Sequence, residues 1–247
     1  MKLRKWLAIA AVAAAAGVGV SMAADNEIDK IKYTQTAGSE MGGAEYAKTA
    51  GNGIVGMEYV QENDASNWQL ILVNRWNPIP EGYEVELTQL DHGQAVDNRI
   101  YPYLQEMFDA ARSEGIYPTI SSSYRSYETQ QAEMEEKIGE YLAQGYSREE
   151  AADMAEEWVA LPGTSEHELG MAVDITTADW TVQDAQTVWQ WFLDNSYRFG
   201  FINRYPEEKA DITGIAHEAW HYRYVGYEAA KEIYEKGICL EEYLAGQ

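Results

Sequence analysis

The pattern of hydrophobic and polar positions changes character near residue 69. Residues 24–67 are rich in Gly, Ala, Thr, Asn and Glu and have weak apolar periodicity, so we expect a flexible linker or stalk over 24–68. From residue 69, short apolar runs alternate with segments of helical spacing, which predicts one folded domain over 69–247.

Five segments of this domain have the apolar spacing or the end signals of helices. Ser126 suits an N-cap, Gly115 and Gly145 suit helix ends, and Ser147 with Glu150 forms a possible capping box. The predicted helices cover approximately residues 97–114, 126–145, 147–158, 184–194 and 227–236.

Short apolar runs between the helices predict strands. They lie within 69–74, in the segment that leads up to residue 87, within 116–126 and within 171–175. Because the strands lack the regular βαβ rhythm of a parallel sheet, we expect an α+β domain with a small, mostly antiparallel sheet flanked by helices.

The N-terminus has the pattern of a signal peptide. The basic residues Lys2, Arg4 and Lys5 precede a run of 15 apolar residues, and a small-x-small cleavage pattern follows over 21–23. The sequence therefore predicts a signal peptide over 1–23 and an exported protein of the extracellular, cell-wall or periplasmic space. The alternative is an uncleaved membrane anchor, but a spanning helix needs about 20 apolar residues.

The charge of the chain limits its expected partners, and its cysteine content limits its disulfides. The chain has 18 basic and 41 acidic residues and a net charge of −23, and signal cleavage would remove three of the basic residues. This acidity excludes nucleic acid and anionic lipid as expected partners, and we expect a monomer without stable membrane insertion. Cys239 is the single cysteine, so no internal disulfide forms, and we expect it to be a small buried residue.

One apolar run contains a carboxylate that needs an explanation. Asp174 interrupts the strand-like segment 171–175, seven residues after His167. A buried carboxylate is costly unless it is paired or binds a metal. Gly170 lies between the two residues and allows a turn that brings His167 back over Asp174.

A second motif supplies further candidates for a metal site. His217, Glu218 and His221 lie together, and an open site could form from His167, Asp174 and His221 with Glu218 free as a base. Such short spacings also occur by chance. Asp174 would alternatively cap a helix or pair with an arginine, and His221 would be a core histidine.

The motifs resemble those of the zinc D-alanyl-D-alanine carboxypeptidases of the VanY/VanX type. "TSEHELGMAVD" (164–174) matches S-x-H-x-x-G-x-A-x-D, and "EAWHYRYVG" (218–226) resembles E-P-W-H-x-R-Y-V-G, with Ala219 in place of the usual Pro. "SSYRSYETQ" (122–130) resembles S-G-Y-R-S-x-x-x-Q. The resemblance extends in consistent order over 69–247.

The resemblance implies a zinc peptidase domain and a role for each matching residue. His167, Asp174 and His221 would hold Zn²⁺, and Glu218 would be the general base for the zinc-bound water. Arg125 would stabilise negative charge on the substrate or the tetrahedral intermediate. Two further residues match positions that bind the peptide end: Ser165 and Gln130.

The implied activity is removal of the terminal D-alanine from peptidoglycan stem peptides. An L,D-carboxypeptidase, a dipeptidase or an endopeptidase on the same scaffold is an alternative, because pocket shape and not the ligand set separates them. A non-catalytic, zinc-containing wall-binding module is the alternative from another class. The retained Glu218 and Arg125 favour the enzyme.

Overall fold

A computed structural model describes residues 46–49, 54–58 and 65–246. The predicted signal peptide over 1–23 lies outside the described residues, as does most of the predicted linker over 24–68. Within the linker range the structure has two antiparallel strands, β1 (Tyr46–Thr49) and β2 (Ile54–Glu58). The division of the chain at residue 69 stays a prediction.

The domain alternates short strands with helices of up to five turns. Six further strands follow: β3 (Leu87–Gln89), β4 (Ala95–Asp97), β5 (Pro118–Ser122), β6 (Ala172–Thr177), β7 (Phe201–Tyr205) and β8 (Glu218–Tyr224). The helices are α1 (Tyr101–Ser113), α2 (Tyr127–Ala143), α3 (Arg148–Ala155), α4 (Ala185–Asn195), α5 (Ala210–Thr213), α6 (Tyr227–Lys236) and α7 (Leu240–Ala245). None of the helices in the described ranges has the length and apolar character needed to cross a bilayer.

A four-stranded antiparallel sheet lies at the centre of the domain. Its strand order is β5-β6-β8-β7, and β3 and β4 form a separate antiparallel pair. The predicted α+β class with small antiparallel sheets is therefore confirmed. The two central strands, β6 and β8, are paired on both sides, so side chains on them are held in fixed positions.

The main core packs helices α1 and α4 against the sheet. Helix α1 buries residues at the spacing i, i+3, i+4 and i+7, as expected for one apolar face. Helix α4 adds a smaller aromatic face to the same cluster. The buried residues are Leu104, Met107, Phe108 and Ala111 of α1 and Val188, Trp191 and Phe192 of α4.

Most of the predicted helix ends are confirmed. The Ser126 hydroxyl accepts a hydrogen bond from the Thr129 amide at 3.2 Å and begins α2. Ser147 and Glu150 form the capping box of α3, which ends at Ala155, before the predicted residue 158. Helix α1 begins at Tyr101, four residues later than predicted.

The predicted strand over 69–74 is wrong. A 3₁₀ helix ends at Leu70, and the residues after it are buried without joining a sheet. The Arg223 guanidinium donates to the Gln69 and Ile71 carbonyls at 3.2 and 2.9 Å. A side chain thus satisfies the backbone groups that a strand partner would otherwise satisfy.

Other strand predictions differ from the structure in extent. The strand expected in the segment before residue 87 begins only at Leu87, where β3 pairs with β4. Strands β4, β7 and β8 and helices α5 and α7 had no counterpart in the sequence prediction. Strand β7 is the edge strand beside β8, and its irregular pairing with β8 affects the position of a site residue.

Candidate metal centre and active site

Three predicted ligand residues converge at the middle of the sheet. Asp174 of β6 lies directly opposite His221 of β8 in the strand register. His221 Nδ1 lies 3.1 Å and His167 Nε2 lies 3.5 Å from the same oxygen, Asp174 Oδ1. One possible ligand atom from each residue lies within 4.8 Å of the others, and all three residues are buried. The arrangement can hold one small cation.

A tight turn before β6 supplies the third ligand. Gly170 has a φ of +72°, which favours glycine, and its amide donates to the His167 carbonyl at 3.0 Å. A Cβ on Gly170 would lie 3.0 Å from the Asp97 amide nitrogen. The turn predicted from Gly170 is therefore present, and close packing against β4 also requires glycine there.

The remote nitrogens of the two histidines face acceptors. His167 Nδ1 lies 2.7 Å from the Ser123 carbonyl, and His221 Nε2 lies 3.5 Å from Glu166 Oε2. Histidines that bind metals usually donate their other N–H to a carbonyl or carboxylate. This orientation fits a metal bound between His167 Nε2, Asp174 Oδ1 and His221 Nδ1.

An irregularity in β8 brings the predicted base to the ligands. Asn203 pairs with Tyr222 and Tyr205 pairs with Glu218, so three residues of β8 lie opposite one residue of β7. In a regular strand Glu218 and His221 would face opposite sides, because side chains alternate. The bulge instead leaves Glu218 Oε2 3.6 Å from His221 Nδ1.

The four groups perturb one another's protonation. Burial lowers the pKa of His167 to about 4, with the charge of Arg125 acting in the same direction. Burial also lowers the pKa of His221, but the nearby carboxylates of Asp174 and Glu166 outweigh this and raise it to about 9. His221 therefore carries a proton among the carboxylates at neutral pH, and a bound metal ion must displace it.

The two carboxyl groups of the centre shift in opposite directions. Burial raises the pKa of Asp174, yet contacts with His167 and His221 outweigh burial and hold it well below its usual range. Burial raises the pKa of Glu218 to about 8; His221 opposes this shift, and Asp174 adds to it. One carboxylate thus stays ionised as a ligand, while the other can take up a proton near neutral pH.

Arg125 points its guanidinium at the centre and is held on several sides. Ser122 Oγ accepts from its Nε and Nη2 at 3.0 and 2.8 Å, and Gln130 Oε1 accepts from Nη1 at 3.1 Å. Nη2 also lies 3.4 Å from Asp174 Oδ2. The alternative in which Asp174 pairs with an arginine is therefore present together with the ligand arrangement.

The two residues predicted to bind the peptide end are both buried. Gln130 is 1% exposed, and its Nε2 donates to the Ala160 carbonyl at 2.7 Å while its oxygen holds Arg125. Ser165 is 3% exposed, and its hydroxyl accepts from the His167 amide at 3.3 Å. Both side chains position other site residues here, and direct substrate contact by them stays a prediction.

The remaining histidines and the cysteine lie outside the ligand group. His217 Nδ1 lies 2.9 Å from the Tyr205 carbonyl, and His92 is exposed in the loop between β3 and β4. Cys239 is 2% exposed, as expected for a small buried residue.

The sequence prediction missed a buried ionic cluster behind the centre. Glu166 accepts from Arg204 Nε at 2.8 Å and lies 2.9 Å from Arg223 Nη1, and Glu241 pairs with Arg204 on the other side. Burial raises the pKa of Glu166, but the two arginines outweigh it and hold the pKa well below the usual range. Two arginines in otherwise apolar strand segments were the available signal, because a buried arginine needs an acidic partner.

Comparison with known proteins places these features in a family. Residues 93–227 match the family model described as VanY, D-alanyl-D-alanine carboxypeptidase. A D-alanyl-D-alanine carboxypeptidase of Enterococcus faecalis is 57% identical over 184 residues, which cover 74% of this chain and 68% of the relative.

Two solved structures share both sequence and fold with the chain. One is a mutant of the vancomycin resistance D,D-pentapeptidase VanY from a VanB-type cassette in complex with Zn(II), with 58% identity, a TM-score of 0.70, and coverage of 72% of this chain and 99% of that one. The other is VanYB in complex with D-alanine-D-alanine, with 57% identity, a TM-score of 0.71, and coverage of 73% and 99%. On the extent of the family match and this identity, the chain belongs to the VanY family of D-alanyl-D-alanine carboxypeptidases.

Proposed function

We propose that the chain is an exported zinc D,D-carboxypeptidase that removes the terminal D-alanine from peptidoglycan stem peptides. The observation that carries the proposal is the convergence of His167, Asp174 and His221, with Glu218 beside them. The zinc complex and the D-alanine-D-alanine complex of the two similar structures support the metal and the substrate class. Export rests on the signal pattern over 1–23, and the domain boundaries stay as predicted.

The ligand set suits a catalytic zinc ion. His167 Nε2, Asp174 Oδ1 and His221 Nδ1 would supply three protein ligands, the usual number in catalytic sites that keep an open position. Zinc bound there would act as a Lewis acid toward the scissile carbonyl and lower the pKa of water. The Asp174 carboxylate offsets part of the metal charge.

Glu218 carries the proton transfers. Its carboxylate lies in a buried position beside His221, and a raised pKa matches a group that gains and loses a proton near neutral pH. It takes a proton from the water that attacks the scissile carbonyl carbon. It then donates this proton to the nitrogen of the departing D-alanine.

Arg125 binds negative charge on the substrate. Its guanidinium is fixed by Ser122 and Gln130, so little side-chain freedom remains to be lost when the substrate binds. A guanidinium has permanent charge and a fork geometry suited to a carboxylate or an oxyanion. The distance of 3.4 Å between its Nη2 and Asp174 Oδ2 supports this role.

Digestion of defined stem peptides tests the reaction. We expect the purified protein to convert a pentapeptide stem ending in D-Ala-D-Ala to a tetrapeptide and to leave a tetrapeptide stem intact, as followed by mass spectrometry. A zinc chelator should abolish turnover, and added Zn²⁺ should restore it. Removal of the fourth residue from the tetrapeptide would instead indicate an L,D-carboxypeptidase, and internal cleavage an endopeptidase. Binding of the pentapeptide without any turnover would indicate a wall-binding module.

A further inference from the structure

We infer that Glu166 is a positioning residue that fixes the tautomer and ring orientation of the zinc ligand His221. The inference rests on the zinc site of the proposed function and adds a residue to it. Glu166 adjoins His167 in the chain, and its carboxylate lies beside Arg204, Arg223 and His221.

The contacts of Glu166 divide between its two oxygens. Oε1 accepts from Arg204 Nε at 2.8 Å and lies 2.9 Å from Arg223 Nη1. Oε2 lies 3.5 Å from His221 Nε2, and within the described part of the chain neither of these two atoms has a hydrogen-bond partner at standard geometry. Glu166 is 1% exposed, so the contact is shielded from bulk solvent.

A carboxylate at this position selects one tautomer of the imidazole. A neutral imidazole has one N–H and one lone pair, and an ionised carboxylate can only accept a hydrogen bond. Without a metal, Asp174 Oδ1, 3.1 Å from His221 Nδ1, favours a proton on Nδ1, but a zinc ion between these two atoms would use the Nδ1 lone pair. Glu166 Oε2, 3.5 Å from Nε2, then favours the proton of the neutral ring on Nε2.

In His167 the roles of the two ring nitrogens are reversed relative to His221. Its Nδ1 faces the Ser123 carbonyl at 2.7 Å, and its Nε2 faces Asp174. The structure therefore predicts opposite tautomers for the two ligands, with N–H on Nδ1 of His167 and on Nε2 of His221. A backbone carbonyl fixes the first, whereas the second depends on one side chain, Glu166.

Glu241 offers a matched control. It is also 1% exposed and accepts two hydrogen bonds from Arg204, at 2.9 and 2.6 Å, and one from Asn74 at 3.0 Å, but none from a zinc ligand within the described ranges. Glu166→Gln and Glu241→Gln each remove one buried negative charge from the same cluster. A purely structural role predicts the same effect on zinc for both variants.

The test compares zinc affinity, measured by competition with a chromophoric chelator, in the wild-type, Glu166→Gln and Glu241→Gln proteins. Removal of an outer partner of a metal-bound histidine typically weakens metal affinity about 10–100-fold. We expect this loss in Glu166→Gln, with a changed visible spectrum of the Co²⁺-substituted protein. We expect Glu241→Gln to bind zinc within about threefold of wild type, although its unfolding temperature also falls.

A measurement on the unaltered ligand set covers the case in which Glu166→Gln does not fold. In a zinc-loaded His92→Gln/His217→Gln protein, only His167 and His221 remain, and ¹⁵N–¹H correlation spectra should show one Nδ1–H ring and one Nε2–H ring. Two rings of the same tautomer, or equal zinc affinity in Glu166→Gln and wild type, would overturn the inference. Failure of the wild-type protein to bind zinc would overturn the proposed function itself.

Discussion

Replacement of Gly170 by alanine tests the link between the turn before β6 and the metal centre. At φ +72° a residue with a Cβ costs about 1–2 kcal/mol, partly offset by about 0.4–1 kcal/mol because alanine restricts the unfolded chain. The new Cβ would also lie 3.0 Å from the Asp97 amide nitrogen and 3.2 Å from Val85 Cγ2. Overpacking of this kind costs about 1–3 kcal/mol, and the Asp97 backbone cannot rotate away as a flexible side chain could.

The substitution Gly82→Ala serves as a control, because it has the free-energy cost of a positive φ without the cost of a steric contact. The φ of Gly82 is +73°, and a Cβ there meets nothing within 4 Å. We therefore expect Gly170→Ala to lower the free energy of unfolding by about 1–3 kcal/mol more than Gly82→Ala does. For a domain of this size that difference corresponds to an extra fall in Tm of about 2–12 °C.

Thermal unfolding followed by circular dichroism, with the zinc removed from both proteins, measures this difference. The zinc affinity of the refolded variants gives the second readout, because the Gly170 amide donates to the His167 carbonyl and so sets the position of that ligand. We expect weaker zinc binding in Gly170→Ala and unchanged binding in Gly82→Ala. Equal stability losses in the two variants, or unchanged zinc affinity in Gly170→Ala, would refute the reasoning.

Three further predictions concern the chemistry of the centre. Glu218→Ala should keep zinc but lose about 10²–10⁴-fold in kcat, as measured on a pentapeptide stem, because the proton acceptor is gone; retained turnover would remove Glu218 as the base. Ser122→Ala should leave the zinc affinity unchanged and lower kcat/KM, because Arg125 loses the hydroxyl that accepts two of its bonds; unchanged kcat/KM would show that this hydroxyl does not position Arg125. Zinc binding at pH 7 should release at least one proton, because a pKa of about 9 leaves His221 protonated in the metal-free protein, whereas a pKa of about 4 leaves His167 neutral, and Glu218, with a pKa of about 8, adds to the release as the zinc charge lowers its pKa. Titration calorimetry in buffers of different ionisation enthalpy measures this release, and heats independent of the buffer would contradict it.

Helix ends and the principal ligands could be predicted because the signals are local. The caps at Ser126 and Ser147 depend on residues within one turn, and both are present as expected. Asp174 was conspicuous as a charge within an apolar strand, which requires a partner wherever the strand lies. Pairing Asp174 with His221 required the family resemblance, since 47 residues separate them and spacing alone left other interpretations open.

The segment over 69–74 could not be predicted from its own residues. A short apolar run looks the same whether a strand or a side chain satisfies its backbone. Here the partner is Arg223, about 150 residues away, and nothing near the run indicates it. The position of Glu218 beside His221 could likewise not be predicted from the side-chain periodicity, because in a regular strand these two residues would face opposite sides.

Strand β8 joins the stability of the domain to the geometry of the site. His221 and Arg223 are two residues apart, so they share one face of the strand, and Glu166 contacts both at 3.5 and 2.9 Å. Arg223 also holds the carbonyls of the 69–71 segment, as described above. A buried guanidinium without its acid would be strongly destabilising, and so would the acid without its guanidinium. Arg223 therefore holds the 69–71 segment against the sheet and also keeps Glu166 in position behind His221. In this way the packing of the domain is coupled to the orientation of a metal ligand.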